Sequence, residues 1–266
     1  MTYLKRSLFS VVRGTHRALA RRALPDRLAI YFHDLPESTW SQFSEAVGYF
    51  KALGYRFVTI DEFVSARPGD KIVWLSFDDN HAVWWRALPL FEELGVRASF
   101  FVNSGPLETV VCPKMLRAYY DRIDHHGERV PLSVSQTVDL VRAGHAIGCH
   151  SAWHYPLAEL CPTRWRDEIA GSKARLEEVI GTTVKDLAFP YGMRRFFSTQ
   201  LAGYCRSLGF ERIAYGIPGF QHEPTVDPLR IHRTRWLFEH DLSRNVEDLC
   251  IDGRLFERLT GRSAIG

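Results

Sequence analysis

From Leu28 onward, short apolar runs rich in aromatic and β-branched residues alternate with longer stretches of helical character. That rhythm restricts the chain to a mostly parallel α/β sheet. Strands are expected over Leu28–Phe32, Arg56–Ile60, Lys71–Phe77, Val96–Val102, Ala146–Cys149, Asp186–Phe189 and Phe210–Tyr215. Helices are expected over Trp40–Leu53, Ala82–Leu94, Ser133–Ala143, Thr163–Ile180, Phe196–Leu208 and Glu239–Leu259, and the first five each run into a glycine. Glycine takes the left-handed backbone that stops a helix at little steric cost. Segment 104–131 breaks the rhythm with Pro106, Pro113 and mixed polarity, and reads as an inserted binding loop.

At 266 residues the chain has the length of one α/β barrel domain, expected over 26–266. Its 45% hydrophobic and 24% charged residues are those of a soluble globular protein, and no apolar run reaches the length of about 18 residues that spans a bilayer. A net charge of +3, without a basic stripe interleaved with aromatics, argues against nucleic acid as a partner.

The basic excess lies in segment 1–25, where Lys5, Arg6, Arg13, Arg17, Arg21 and Arg22 precede the first acidic residue, Asp26. Leu4, Leu8, Val11, Val12 and Leu19 fall near helical spacing among them. The segment is either an amphipathic surface helix touching anionic lipid, or a helix or loose terminus against the domain. Arg13 interrupts the only apolar run resembling an export signal, so the expectation is a cytoplasmic protein, peripheral to the inner membrane face at most. Five widely spaced cysteines without a Cys-x-x-Cys pair fit reduced thiols.

Candidate chemistry sits at two strand ends. Asp78 and Asp79 close the apolar run Trp74-Leu-Ser-Phe-Asp-Asp-Asn80, and His150-Ser-Ala-Trp-His154 follows the short strand ending at Cys149. One carboxylate and two imidazoles make a three-ligand metal site with coordination room left over, and the spare carboxylate can serve as a base. Alone, an Asp pair reads as a helix cap and a His-x-x-x-His as incidental. Together at the C-terminal ends of strands, where barrels carry their active sites, they point to a metal-dependent hydrolase.

Ser76-Phe-Asp-Asp-Asn80, His150-Ser-x-x-His154 and Phe189-Pro-Tyr-Gly192, in that order, resemble the motifs of the polysaccharide deacetylases, the NodB-like carbohydrate esterases, and the likeness runs from about Leu28 to Gly219. The resemblance implies an irregular (β/α)7 barrel that removes N-acyl groups, usually acetyl, from amino sugars. It implies Asp79, His150 and His154 as ligands of one divalent ion, Asp78 as general base, and a backbone N–H near Tyr191 as oxyanion donor. Zinc suits such ligands, with cobalt, nickel or manganese as alternatives.

The family's late Leu-x-His motif is represented by Ile231-His232, which makes His232 the candidate general acid. Asn80 replaces the family's usual Gly and is expected to reach into the pocket. The Arg that many members carry ahead of the third motif has no counterpart before Ala188-Phe-Pro-Tyr-Gly192, which leaves the group orienting Asp78 unnamed. His33, Asn80, Trp153, Pro190, Tyr191 and Gly192 are the candidate substrate contacts; His33 reads equally as a packing residue, and Trp153, Tyr191 and Trp236, which could stack on a sugar face, are as single aromatics more often core than ligand.

The expected substrate is an acetamido sugar, nucleotide- or lipid-linked, in surface-polysaccharide biosynthesis. Deformylation or small-amide hydrolysis at the same site is an alternative, as is a catalytically silent glycan-binding barrel.

Overall fold

The structure, a computed structural model, describes residue 15 and residues 19–107, 111–219, 221–222 and 225–261. Most of the basic N-terminal segment, and 108–110 of the insertion, lie outside the described residues. Where the described chain begins, Arg21 bridges antiparallel to Ile251 and the Arg22 amide donates to the Cys250 carbonyl at 2.8 Å.

The strands are β1 (Arg27–Phe32), β2 (Arg56–Val58), β3 (Ile72–Asp79), β4 (Ala98–Val102), β5 (Ala146–Cys149), β6 (Asp186–Ala188), β7 (Arg212–Tyr215), β8 (Ile231–His232) and β9 (Thr234–Arg235). They pair in parallel in the order β8-β7-β6-β5-β4-β3-β1-β9, with β2 on the start of β3. Only Arg233 separates β8 from β9. Since β8 pairs with β7 and β9 with β1, the segment 231–235 draws the two ends of the sheet together into a nearly closed barrel with its helices outside. The parallel sheet is the one the alternating pattern implies, and its near closure with helices outside is the (β/α) barrel implied by the family resemblance.

Side chains alternate across each strand, so the barrel has two cores. Leu28, Ile30 and Phe32 of β1 and Val73, Leu75 and Phe77 of β3 pack outward, with Phe43, Phe50 and Phe91, in the main core against the helices. Ala29, Trp74, Phe101, Ala188, Ala214 and Ile231 form a second buried cluster that fills the lumen. The lumen is therefore packed at one end and open only where the strands end.

Several elements differ from the expected ones. Ile60 opens a helix, Ile60–Ser65, because Thr59 and Glu62 form a reciprocal capping box that takes the chain out of the strand. The helix expected over 82–94 is two, Val83–Arg86 and Leu88–Glu93, with Pro89 in the first turn of the second. The long helix over 163–180 contains a π-helical stretch, Arg166–Gly171, and the one over 239–259 is two helices, Leu242–Leu249 and Arg254–Thr260. The insertion carries a helix, Pro113–Arg122, which buries Tyr119 and Tyr120. No helix among the described residues is long and apolar enough to cross a membrane.

Candidate active site

All eight residues of β3 are buried, and its inward positions Trp74, Ser76 and Asp78 aim the Asp78 carboxylate along the lumen toward the open end. Strict alternation would turn Asp79 outward. Its left-handed backbone, φ 85°, breaks the alternation, and the second carboxylate also faces the site. Such backbone in a residue other than glycine is strained and must be held by its surroundings. Here Asn80 does the holding: its amide donates to the Asn103 carbonyl at 2.9 Å and its side-chain oxygen accepts from the Leu132 amide at 2.7 Å. Asn80 is fully buried with both side-chain ends engaged and does not line the cavity.

The histidine loop is fixed in the same way. Ser151 and His154 both have positive φ, 65° and 58°, and the Ser151 hydroxyl accepts from the His154 amide at 3.0 Å. Glu168, on the π-helical stretch, accepts from the Trp153 amide at 2.9 Å while its carbonyl takes the Ala152 amide at 2.8 Å. Asn103 donates to the His150 carbonyl and accepts from the Tyr119 hydroxyl, which ties the loop to the insertion.

These supports bring Asp79, His150 and His154 together, with one ligand atom from each mutually within 4.8 Å. Asp79 Oδ1 lies 3.6 Å from His150 Nε2 and 3.4 Å from His154 Nε2. That oxygen is buried and has no hydrogen-bond partner, a costly state unless a cation completes it. His150 Nδ1 meets the Ala188 carbonyl at 2.8 Å; with the proton on that nitrogen, the Nε2 lone pair is left facing Asp79. Burial above all lowers His154 to about 3, so it is neutral and available as a ligand at pH 7. Burial pushes the Asp79 carboxyl up, but His81, His154, His33 and His150 together hold it well below the usual carboxylate range. The donor set thus fits a divalent cation.

Asp78 has a different partner. Arg233 Nη1 and Nη2 donate to its two oxygens, each at 2.7 Å, and Nη1 also donates to Ser76 Oγ at 2.9 Å. The guanidinium stacks 4.6 Å from the Tyr31 ring and 5.1 Å from the Phe101 ring. Burial alone would raise Asp78; Arg233, then His150, outweighs it and leaves the carboxyl below its ordinary value. The group that holds Asp78, unnamed from the sequence, is therefore Arg233. The signal was period two across a seam: with Ile231 inward, Arg233 is inward and His232 is not.

The open end holds a cavity of about 580 Å³, lined by Asp78, Asp79, His150, His154, Arg233, His33, Tyr191 and Gly192 among others. His125 and Arg122 of the insertion form part of one wall, and Arg235, Trp236 and Phe238 part of another. Tyr191 takes positive φ, 64°, and no protein acceptor meets its N–H among the described residues. Gly192 permits this turn: its φ is 59°, and a Cβ there would stand 2.3 Å from the Gly216 nitrogen. Pro190, in the turn itself, is buried, and the Trp153 ring packs over Gly105; neither lines the cavity. His232 lines a separate pocket with Arg27, Phe63 and Gln221.

Comparison with known proteins gives the same picture at the level of the whole chain. Among curated proteins no sequence matches. The solved structures similar to this chain include the Streptococcus pyogenes deacetylase PplD in complex with acetate, at 19% identity and TM-score 0.63 over 84% of this chain and 96% of that one. IcaB from Ammonifex degensii aligns at 21% identity and TM-score 0.67, over 86% and 98% of the two chains. The putative polysaccharide deacetylase BA0330 from Bacillus anthracis aligns at 17% and 0.65, over 84% and 68%. At such identities the likeness is one of fold. The model of the polysaccharide deacetylase family matches residues 65–213, which include the Asp pair, the histidine loop and the Pro-Tyr-Gly turn, and the chain belongs to that family.

Proposed function

We propose that the protein is a metal-dependent hydrolase that removes an N-acyl group, acetyl in the first instance, from an amino sugar. The observation that carries this reading is the buried, unpartnered Asp79 oxygen facing the Nε2 atoms of His150 and His154, with a second carboxylate held as an anion in the same cavity.

Asp79, His150 and His154 would hold the ion, zinc by preference. When bound, it supplies Lewis acidity toward the acyl oxygen and lowers the pKa of water in the site. Asp78, kept ionised and oriented by Arg233, takes the proton of the attacking water. The free N–H of Tyr191 donates to the oxyanion, a contribution of about 3 kcal/mol for one preorganised donor.

The leaving amine needs a proton, and we assign its delivery to His33. This residue lines the cavity close enough for Asp79 and Asp78 to act on its charge, whereas His232 opens on another pocket. Burial lowers His33 to about 4, so it is neutral until the reaction supplies a proton, and a ready donor once it holds one.

The substrate we infer is a nucleotide- or lipid-linked acetamido sugar of surface-glycan assembly, and the basic N-terminal segment is proposed to keep the enzyme near a membrane. The test is zinc-reconstituted protein incubated with acetamido-sugar nucleotides, undecaprenyl-linked acetamido sugars and short N-acetylglucosamine oligomers. Loss of one acetyl by mass spectrometry with equimolar acetate supports the reading, and formate as the acid product, or no turnover on any of them, refutes it.

A further inference from the structure

Asp79 is used from both sides. Its Oδ1 faces the two candidate ligand histidines, and its Oδ2 faces His81 Nε2 at 3.8 Å. His81 is 1% exposed, and neither of its ring nitrogens has a hydrogen-bond partner. Burying an imidazole without a partner is unfavourable, and an apolar side chain would fill the same space without that cost. A nitrogen at this place is explained by the carboxylate it faces.

The ring is enclosed on its other sides. Trp84 stands edge-on at 5.5 Å between ring centroids, and His125 of the insertion packs against it at 4.4 Å. His125 is itself held, its Nε2 3.1 Å from the Glu128 carbonyl and 3.9 Å from Asp34 Oδ2. The backbone beside His81 is clamped to the exit of the insertion, since the Ala82 amide donates to the Val130 carbonyl at 2.9 Å. His81 is thus fixed from behind by residues of 125–130 and presents its nitrogen to Asp79.

We propose that His81 is a positioning residue for the metal ligand Asp79: its Nε2, 3.8 Å from Oδ2, closes to a hydrogen bond when Oδ1 takes the ion and so keeps Oδ1 directed at it, with the insertion as its backing. The inference rests on the reading that Asp79, His150 and His154 hold a metal. Hydrogen bonds to a ligating carboxylate fix its orientation, and their loss typically costs about 10–100-fold in metal affinity. Segment 104–131 then acts on the metal site through His125 and His81, in addition to forming a cavity wall.

The experiment compares zinc affinity of the full chain, by competition with a chelating dye, for wild type, His81→Phe and His81→Gln. Thermal melting of the metal-free proteins is recorded in parallel. Phe keeps a ring and removes the donor; Gln restores a donor at about the reach of Nε2. The expected result is a loss of about 10–100-fold in His81→Phe with recovery to within a few-fold in His81→Gln, at closely similar metal-free melting temperatures. Affinity within twofold of wild type in His81→Phe, or equal losses in the two variants, overturns the proposal. Zinc affinity is read without substrate, so tight zinc binding by a wild type that deacetylates nothing would sink the functional reading and leave His81 in place; a wild type that binds no zinc sinks both.

Discussion

Arg233 grips both oxygens of Asp78 at 2.7 Å, and neither side chain is open to bulk solvent. A bidentate, stacked guanidinium fixes the plane of the carboxylate as well as its charge, which a lysine ammonium does not. Arg233→Lys is therefore expected to fold and bind zinc but to lose at least about tenfold in kcat, because the proposed base is no longer oriented. The sign of the pH effect follows from the pair: Arg233 holds Asp78 down, so weakening it raises that pKa and moves the acid limb of the kcat/KM profile to higher pH. An acid limb that stays in place in a variant of reduced kcat would separate Arg233 from the titration of Asp78.

Removing the pair's cation altogether is a different experiment. Arg233→Ala leaves a buried carboxylate uncompensated, and a loss of about 3–5 kcal/mol is expected in urea unfolding. The double variant Arg233→Ala with Asp78→Ala should recover part of that loss. A single variant as stable as wild type would contradict the burial argument.

The two acidic neighbours should separate cleanly. Asp78→Asn is expected to retain stoichiometric zinc and lose turnover by several orders of magnitude, whereas Asp79→Ala, His150→Ala and His154→Ala lose both metal and turnover. Zinc at the wild-type level in Asp79→Ala would show the ligand set to be wrong, and full activity in Asp78→Asn would remove its role as base.

The histidine pair His33 and His232 offers a test of the proton donor. His33→Gln is expected to lower kcat by about 10²–10⁴-fold, with little change in zinc content, and His232→Gln to leave kcat within a few-fold of wild type. The reverse ranking, in variants of equal stability, would return the role to His232.

Away from the site, His145 accepts the Ala98 amide through Nδ1 at 3.2 Å, so the fold requires that nitrogen unprotonated. Burial, then Arg97, lowers its pKa to about 4 from the 6.5 of an exposed imidazole. Between those values the unfolded chain binds the proton and the native one does not, so its contribution is present above pH 6.5 and is lost as pH falls toward 4. Lowering the pH from 7 to 5 is expected to cost on the order of 1–2 kcal/mol through this residue, and His145→Gln should flatten that part of the urea-stability profile.

How far the sequence reached can be told from these same residues. The parallel strands and the Asp and His positions were legible because each lies in, or directly after, an apolar run long enough to show its period. β8 and β9 were not, since two residues each display no alternation, and what defines them is pairing with β7 and β1 across the seam. The place of Asn80 in the motif suggests a pocket residue; its two hydrogen bonds, to partners 23 and 52 residues away, are tertiary and leave no local trace. His81 leaves no signal in the sequence for a similar reason: beside two aspartates an imidazole is incidental without the insertion packed behind it.

The seam at 231–235 has one further consequence. The residue that latches the barrel's two edges together is also the one that aims the candidate base, so a fluctuation that unzips β8 from β7 releases Asp78 before any helix need detach. Mild denaturant should accordingly silence the enzyme well ahead of its global unfolding midpoint, and ligands that bridge the 235–238 wall to the rest of the cavity should protect activity more than they raise the melting temperature.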